Sequence, residues 1–162
     1  MRPWQERPFE TRNLFNPAFC GLVLLRGIRA YEVEDSEGMP FSLTLLILPL
    51  VLHSETRAVF SASPRTHFIK VVEGHPEMLV GLAHRTRTLL PFTLEGLGFV
   101  MHLGCFTTTP SGRLRTIAKT VRARIDGTDD AVDCQKTAAT LGKHFARVRD
   151  RVTLYTTLGL RP

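Results

Sequence analysis

The sequence predicts a mainly α-helical domain that carries a winged helix-turn-helix-like unit with a β-hairpin wing. Three observations predict it. Helix-start and helix-stop residues recur along the chain, as at Asn16-Pro17, Pro91 and Gly104; Asn caps a helix, Pro fits its first turn and Gly closes its last. Apolar residues between those marks follow helical spacing, as do Phe19, Val23 and Ala30. One stretch departs from that spacing. Cys105 to Ala118 is rich in Thr and has Pro110-Ser111-Gly112 at its centre, which is the turn chemistry of a hairpin.

Taken in order, residues 1–13 are polar and contain Pro3 and Pro8, so they are expected to form an extended arm, with Trp4 and Phe9 as apolar anchors. Residues 14–162 are expected to form one helical domain. The helix from Pro17 to about Tyr31 is apolar around most of its circumference, which marks it as central. Arg26 and Arg29 near its end suit the negative pole of the helix dipole. An acidic loop follows, Glu32 to Gly38. Phe41 to Leu52 is the most apolar stretch. It is shorter than the roughly 20 residues a bilayer span needs, and Pro49 should kink or end it, so it reads as a buried helix. Ser54 is the expected cap of a short helix, 55–60, and Ser63-Pro64 of another, 64–73.

The winged unit is placed at about 76–120. One helix runs from Pro76 to about Leu90 and is stopped by Pro91. Thr93 caps a second, 94–103, closed by Gly104. The hairpin then follows, and helix, tight turn, helix, hairpin is the winged order. Asp126 to Asp130 is a loop. A helix over about 130–148 presents Val132, Ala139, Leu141, Phe145 and Val148 as its apolar face, and Thr153–Leu158 adds a last helical turn.

The 162 residues suffice for one core and hardly for two. Arginine outnumbers lysine 17 to 4, and the net charge is +6; such a balance suits a nucleic-acid backbone or an acidic protein partner. Cys20, Cys105 and Cys134 are odd in number and lack C-x-x-C spacing, so they read as reduced thiols in the cytosol. The first 13 residues have no apolar signal core. A cytoplasmic protein without membrane attachment is expected.

Catalytic chemistry is sought and not found in the sequence. Gly96-Leu97-Gly98 has Met101 where a third glycine belongs and lies in an expected helix, so it is no phosphate loop. His102 and Cys105 are three apart, but no second pair joins them to make a zinc site. His53 follows an apolar helix without a nucleophile or an orienting group beside it. The carboxylates Glu32, Glu34, Asp35 and Glu37, and again Asp126, Asp129 and Asp130, fall in loops and read as solvated surface. No catalytic, cofactor-binding or metal-binding residue is assigned, and no enzyme is expected.

The basic run Arg113, Arg115, Lys119, Arg122 and Arg124 contains no acid. Arg113 and Arg115 alternate and so share a face of the hairpin. These five are the candidate DNA contacts; the competing reading is a strand edge protected by charge. The expected second helix carries only Glu95 and His102, too little to read bases. Any contact with double-stranded DNA should therefore be non-specific. A second basic group, Lys143, Arg147, Arg149 and Arg151, lies further along.

Three segments carry a resemblance: Arg12-Asn13-Leu14-Phe15-Asn16-Pro17-Ala18-Phe19-Cys20; Pro40-Phe41 with Ile47-Leu48-Pro49-Leu50-Val51-Leu52-His53 and Ser54-Glu55-Thr56-Arg57; and Leu141-Gly142-Lys143-His144-Phe145-Ala146 with the closing Leu154 to Pro162. With the Pro91-Phe92-Thr93 turn, they resemble the middle component of three-component ABC conflict systems, to which Lamassu-type defence complexes are similar. The resemblance implies two partners, an SMC/Rad50-like ABC ATPase and an effector subunit, often a nuclease, which the middle component bridges or regulates in anti-phage or anti-plasmid defence. It supplies no catalytic residue. Asn16, Pro17, Phe41, Pro49, His53 and Gly159 are read as shape-setting. The alternative function is a free-standing winged-helix transcriptional regulator.

Overall fold

The computed structural model describes residues 4–161. It is mainly helical, with one small antiparallel sheet. The helices are α1 (Phe9–Leu14), α2 (Pro17–Glu34), α3 (Phe41–Thr44), α4 (Ile47–Val51), α5 (Ser54–Ala62), α6 (Phe68–Gly74), α7 (Leu82–His102), α8 (Asp129–Val148) and α9 (Arg151–Thr157). The strands are β1 (Met39–Pro40), β2 (Phe106–Thr108) and β3 (Arg113–Thr116).

The central helix is α2, as expected. Asn16 caps it, its Oδ1 accepting from the Ala18 amide at 2.9 Å, and Pro17 fills the first position. It lies between α7 and α8, and glycines set both distances. A Cβ built on Gly142 of α8 would stand 2.1 Å from the Gly27 carbonyl oxygen. One built on Gly21 would stand 2.8 Å from the Gly96 carbonyl oxygen of α7. Backbone therefore meets backbone on both flanks, and no larger residue fits. Around these contacts one cluster of buried side chains fills the interior, including Leu24, Ile28, Ile47, Phe60, Leu141 and Phe145.

The helix-turn-helix expected within 76–120 is not formed. Pro76–Leu79 is a 3-10 turn, and residues 82–102 make one continuous helix with Pro91 inside it. Pro91 is exposed, so the Arg87 carbonyl it leaves unbonded can face water, and the lost bond costs less than it would in the core. Thr93, expected as a cap, is buried mid-helix and its Oγ1 donates to the Leu89 carbonyl at 3.0 Å; such hydroxyls serve a cap or an i−4 bond equally well. Gly104 closes α7 with φ of +66°. Its amide bonds to Met101 and that of Cys105 to Val100, the paired bonds of a Schellman end, which turn the chain into the hairpin.

The hairpin itself forms, with Phe106 opposite Thr116 and Thr108 opposite Leu114. It gains a third strand, β1, with Met39 opposite Leu114, so the order is β1-β3-β2. A two-residue strand leaves no alternation to read. Phe41–Leu52 is buried as expected but breaks at Leu45-Leu46, not at Pro49. Pro49 instead sits in the first turn of α4, where its missing donor has no role. The arm is not extended over its last residues: 9–14 are helical, and Arg7 forms a two-pronged ion pair with Glu95 of α7, both bonds at 2.7 Å. Residues 1–3 lie outside the described residues. Among the described residues, no single helix is long and apolar enough to cross a membrane.

Candidate functional site

An apolar cleft of about 490 Å³ opens where α1, α2, α4, α7 and α8 meet. Leu14, Phe15, Phe19, Pro49, Leu52 and Leu89 supply its walls, with Ala131 and Cys134 from α8. Phe15 is fixed by stacking on Phe92 of α7, centroids 4.4 Å apart. Leu14, at the mouth, is 62% exposed, a large apolar side chain left facing water.

Most of the polar residues at this cleft are engaged within the chain. His53 caps α5, not Ser54: its Nδ1 lies 2.9 Å from Thr56 Oγ1 and accepts from the Thr56 amide at 3.4 Å. Arg57 donates to the Val51 carbonyl at 2.9 Å and to the Asp130 carboxylate. Arg85 donates to the carbonyls of Met78 and Val80 at 2.9 and 2.7 Å, and burial pushes its guanidinium pKa down. Burial pushes the Cys134 thiol up, and the Cys20 thiol deeper in the core up to about 12. Neither is a thiolate at neutral pH, the form that attacks or ligates. Among the described residues, no group of His, Cys, Asp and Glu converges to hold a metal ion. The cleft can bury an apolar segment of another molecule; most of its polar groups are engaged, and Arg85 Nε is buried without a hydrogen-bond partner among the described residues.

The five candidate DNA contacts divide. Arg113 donates to Asp35 at 3.0 Å and to the Gly38 carbonyl at 2.9 Å. Arg115 lies 3.7 Å from Glu32, and Arg124 pairs with Asp126 at 2.6 Å. Lys119 and Arg122 are exposed and make no ion pair among the described residues. The acids read as solvated surface are thus partly ties. Glu32 also accepts from the Thr116 amide at 3.0 Å, and Glu34 accepts from Arg147 at 2.9 Å. Burial pushes the Asp35 carboxyl up, but the Glu37 amide and Arg113 outweigh it and hold it below its usual range.

Arg26 is not an exposed dipole partner but a buried clamp, because α2 runs on to Glu34. It donates to Gln135 at 3.1 Å and to the carbonyls of Arg122 and Arg124 at 2.8 and 2.9 Å. Burial first, and Arg29 second, push its pKa down. The clamp turns the carbonyls of that loop inward and leaves the Arg122 and Arg124 side chains outside.

Residues 4–162 match a known family, ABC-three component (ABC-3C) system Middle Component 3. The chain belongs to that family. No curated protein and no solved structure matches it. A middle component is an accessory part of a multi-subunit system, so it has protein partners. Two of the three segments that carried the resemblance, around Leu14-Phe15 and Pro49-Leu52-His53, line the apolar cleft of this middle component. Leu89, Arg85 and Ala131 complete the cleft from distant positions, and no local signal marks them. Leu14 and Phe15, an apolar pair just before a helix cap, were the legible trace.

Proposed function

We propose that this middle component is a non-catalytic, cytoplasmic adaptor that bridges an SMC/Rad50-like ABC ATPase and an effector nuclease in anti-phage or anti-plasmid defence. The observation that carries the reading is the apolar cleft: its walls are open and mostly hydrocarbon, most of its polar groups are bonded internally, and Leu14 stands exposed at its mouth. An apolar surface of this kind gains free energy only when a partner covers it. The ATPase is assigned to this cleft. Non-specific contact with DNA is assigned to Lys119 and Arg122, because the other three cations of the run already face carboxylates. The free-standing winged-helix regulator has lost its support, since the two helices it needs are one helix, α7.

Co-expression with the ATPase and effector of the same gene cluster tests the proposal. The three subunits should co-purify, and Leu14→Asp should release the ATPase while leaving the melting temperature unchanged. Failure of the wild-type chain to co-purify with either subunit overturns the adaptor role.

A further inference from the structure

A second cleft, of about 540 Å³, lies between the hairpin turn, the start of α3 and the link from α8 to α9. Arg113, Arg149 and Arg151 line it against one carboxylate, Asp150. Arg113 lies more than thirty residues before Arg149 and Arg151, and the fold brings it to them.

Each has a distinct standing. Arg113 is held in place by Asp35 and the Gly38 carbonyl, both through one terminal nitrogen, and Asp35 balances its charge. Arg149 and Arg151 are exposed and form no ion pair among the described residues. Asp150 offsets one of these charges: its carboxylate accepts from the Thr153 hydroxyl and from the amides of Thr153 and Val152, which together with Arg151 hold its pKa down, so Arg149, Arg151 and Asp150 keep one net positive charge. Arg149 adopts φ of +63°, a left-handed conformation normally left to glycine at the end of a helix. An arginine kept where glycine fits better points to use of its side chain. Ser42, also on the wall, buries its Oγ with no hydrogen-bond partner among the described residues.

We infer that this cleft binds a phosphate ester, with Arg149 and Arg151 as its contacts and Arg113, already paired with Asp35, on its wall. Two exposed planar forks at one opening match the several oxygens of a phosphoryl group better than those of a single carboxylate. The volume leaves room for what the phosphate is attached to, which is either a free nucleotide or one strand of a nucleic-acid backbone. The site is separate from Lys119 and Arg122 and does not depend on the adaptor reading.

The full chain is titrated with ATP and with a fluorescein-labelled DNA duplex of about 20 base pairs, long enough to cover the cleft, in a series of salt concentrations. At least one probe binds the wild type. The double variant Arg149→Gln with Arg151→Gln weakens that probe at least tenfold, and if the probe is DNA the salt slope falls by about two. ATP as the tighter probe identifies a nucleotide, and the duplex a strand backbone. Arg149→Gly raises the melting temperature, by relieving the left-handed arginine, and still loses binding. Absence of binding by both probes, equal binding by the double variant, or retained binding by Arg149→Gly overturns the site.

Discussion

The two clefts are similar in size, about 490 and 540 Å³, and opposite in chemistry. At the first, arginines and a histidine are present, yet each is tied to a carbonyl, a hydroxyl or a carboxylate of the same chain. Most of what remains is hydrocarbon. At the second, Arg149 and Arg151 form no ion pair among the described residues. The difference teaches that counting cations says little until their partners are known. An apolar cleft binds by releasing water and is indifferent to salt, whereas unpaired arginines bind by charge and are screened.

The change expected to act most strongly removes both clefts together. Helix α8 supplies Ala131 and Cys134 to the apolar cleft and leads into Arg149 of the other. Gly142→Ala would drive a carbon into the Gly27 carbonyl and should destabilise the chain by at least about 3 kcal/mol, read by urea unfolding. A smaller loss separates the clefts. Phe15→Ala removes the stack on Phe92 and should cost about 1–3 kcal/mol. It should weaken ATPase binding and leave phosphate binding as it was; equal damage to both would merge what the structure keeps apart.

Acid should act on the shared helix more gently. His144 of α8 is buried between Phe60 and Phe68, its Nε2 without a partner among the described residues. Burial, then Arg147 and His67, push its pKa below the ordinary 6.5. The unfolded chain therefore binds the proton more readily. Stability is full above pH 6.5 and declines as the pH falls through the folded value. His144→Phe should flatten that decline in thermal melts recorded from neutral to acid pH. The smallest effect is a gain. Gly98 has open space around its Cβ position, so Gly98→Ala should stabilise α7 by about 0.5–1 kcal/mol in the same melts and alter neither cleft.

Much of this architecture was legible in the chain. Asn16-Pro17 marked the central helix, the span 130–148 was read to within a residue, and the turn at Pro110-Ser111-Gly112 marked the hairpin. Proline was misread because its cost depends on which face of a helix it occupies. Pro91 is on the water side and breaks nothing, while Pro49 is at a helix start and the break falls ahead of it. The glycines show what stays hidden. Gly96 was rightly set aside as a phosphate loop, but its role, to let α2 approach, was not visible, because close approach has no local sequence signature. Of the site, Leu14-Phe15 and Pro49-Leu52 were visible as family segments. The pairing of Arg113 and Arg115 with the acids of α2 was not, because those groups lie about eighty residues apart and only the fold joins them.

The dissociation constant between the middle component and the ATPase of its own system, compared at about 50 and 500 mM salt, tests the central claim most directly. It should change by less than about threefold across that range, and Leu14→Asp should weaken binding at least tenfold at both. A complex that dissolves in salt and ignores Leu14→Asp would contradict an adaptor held by its apolar cleft.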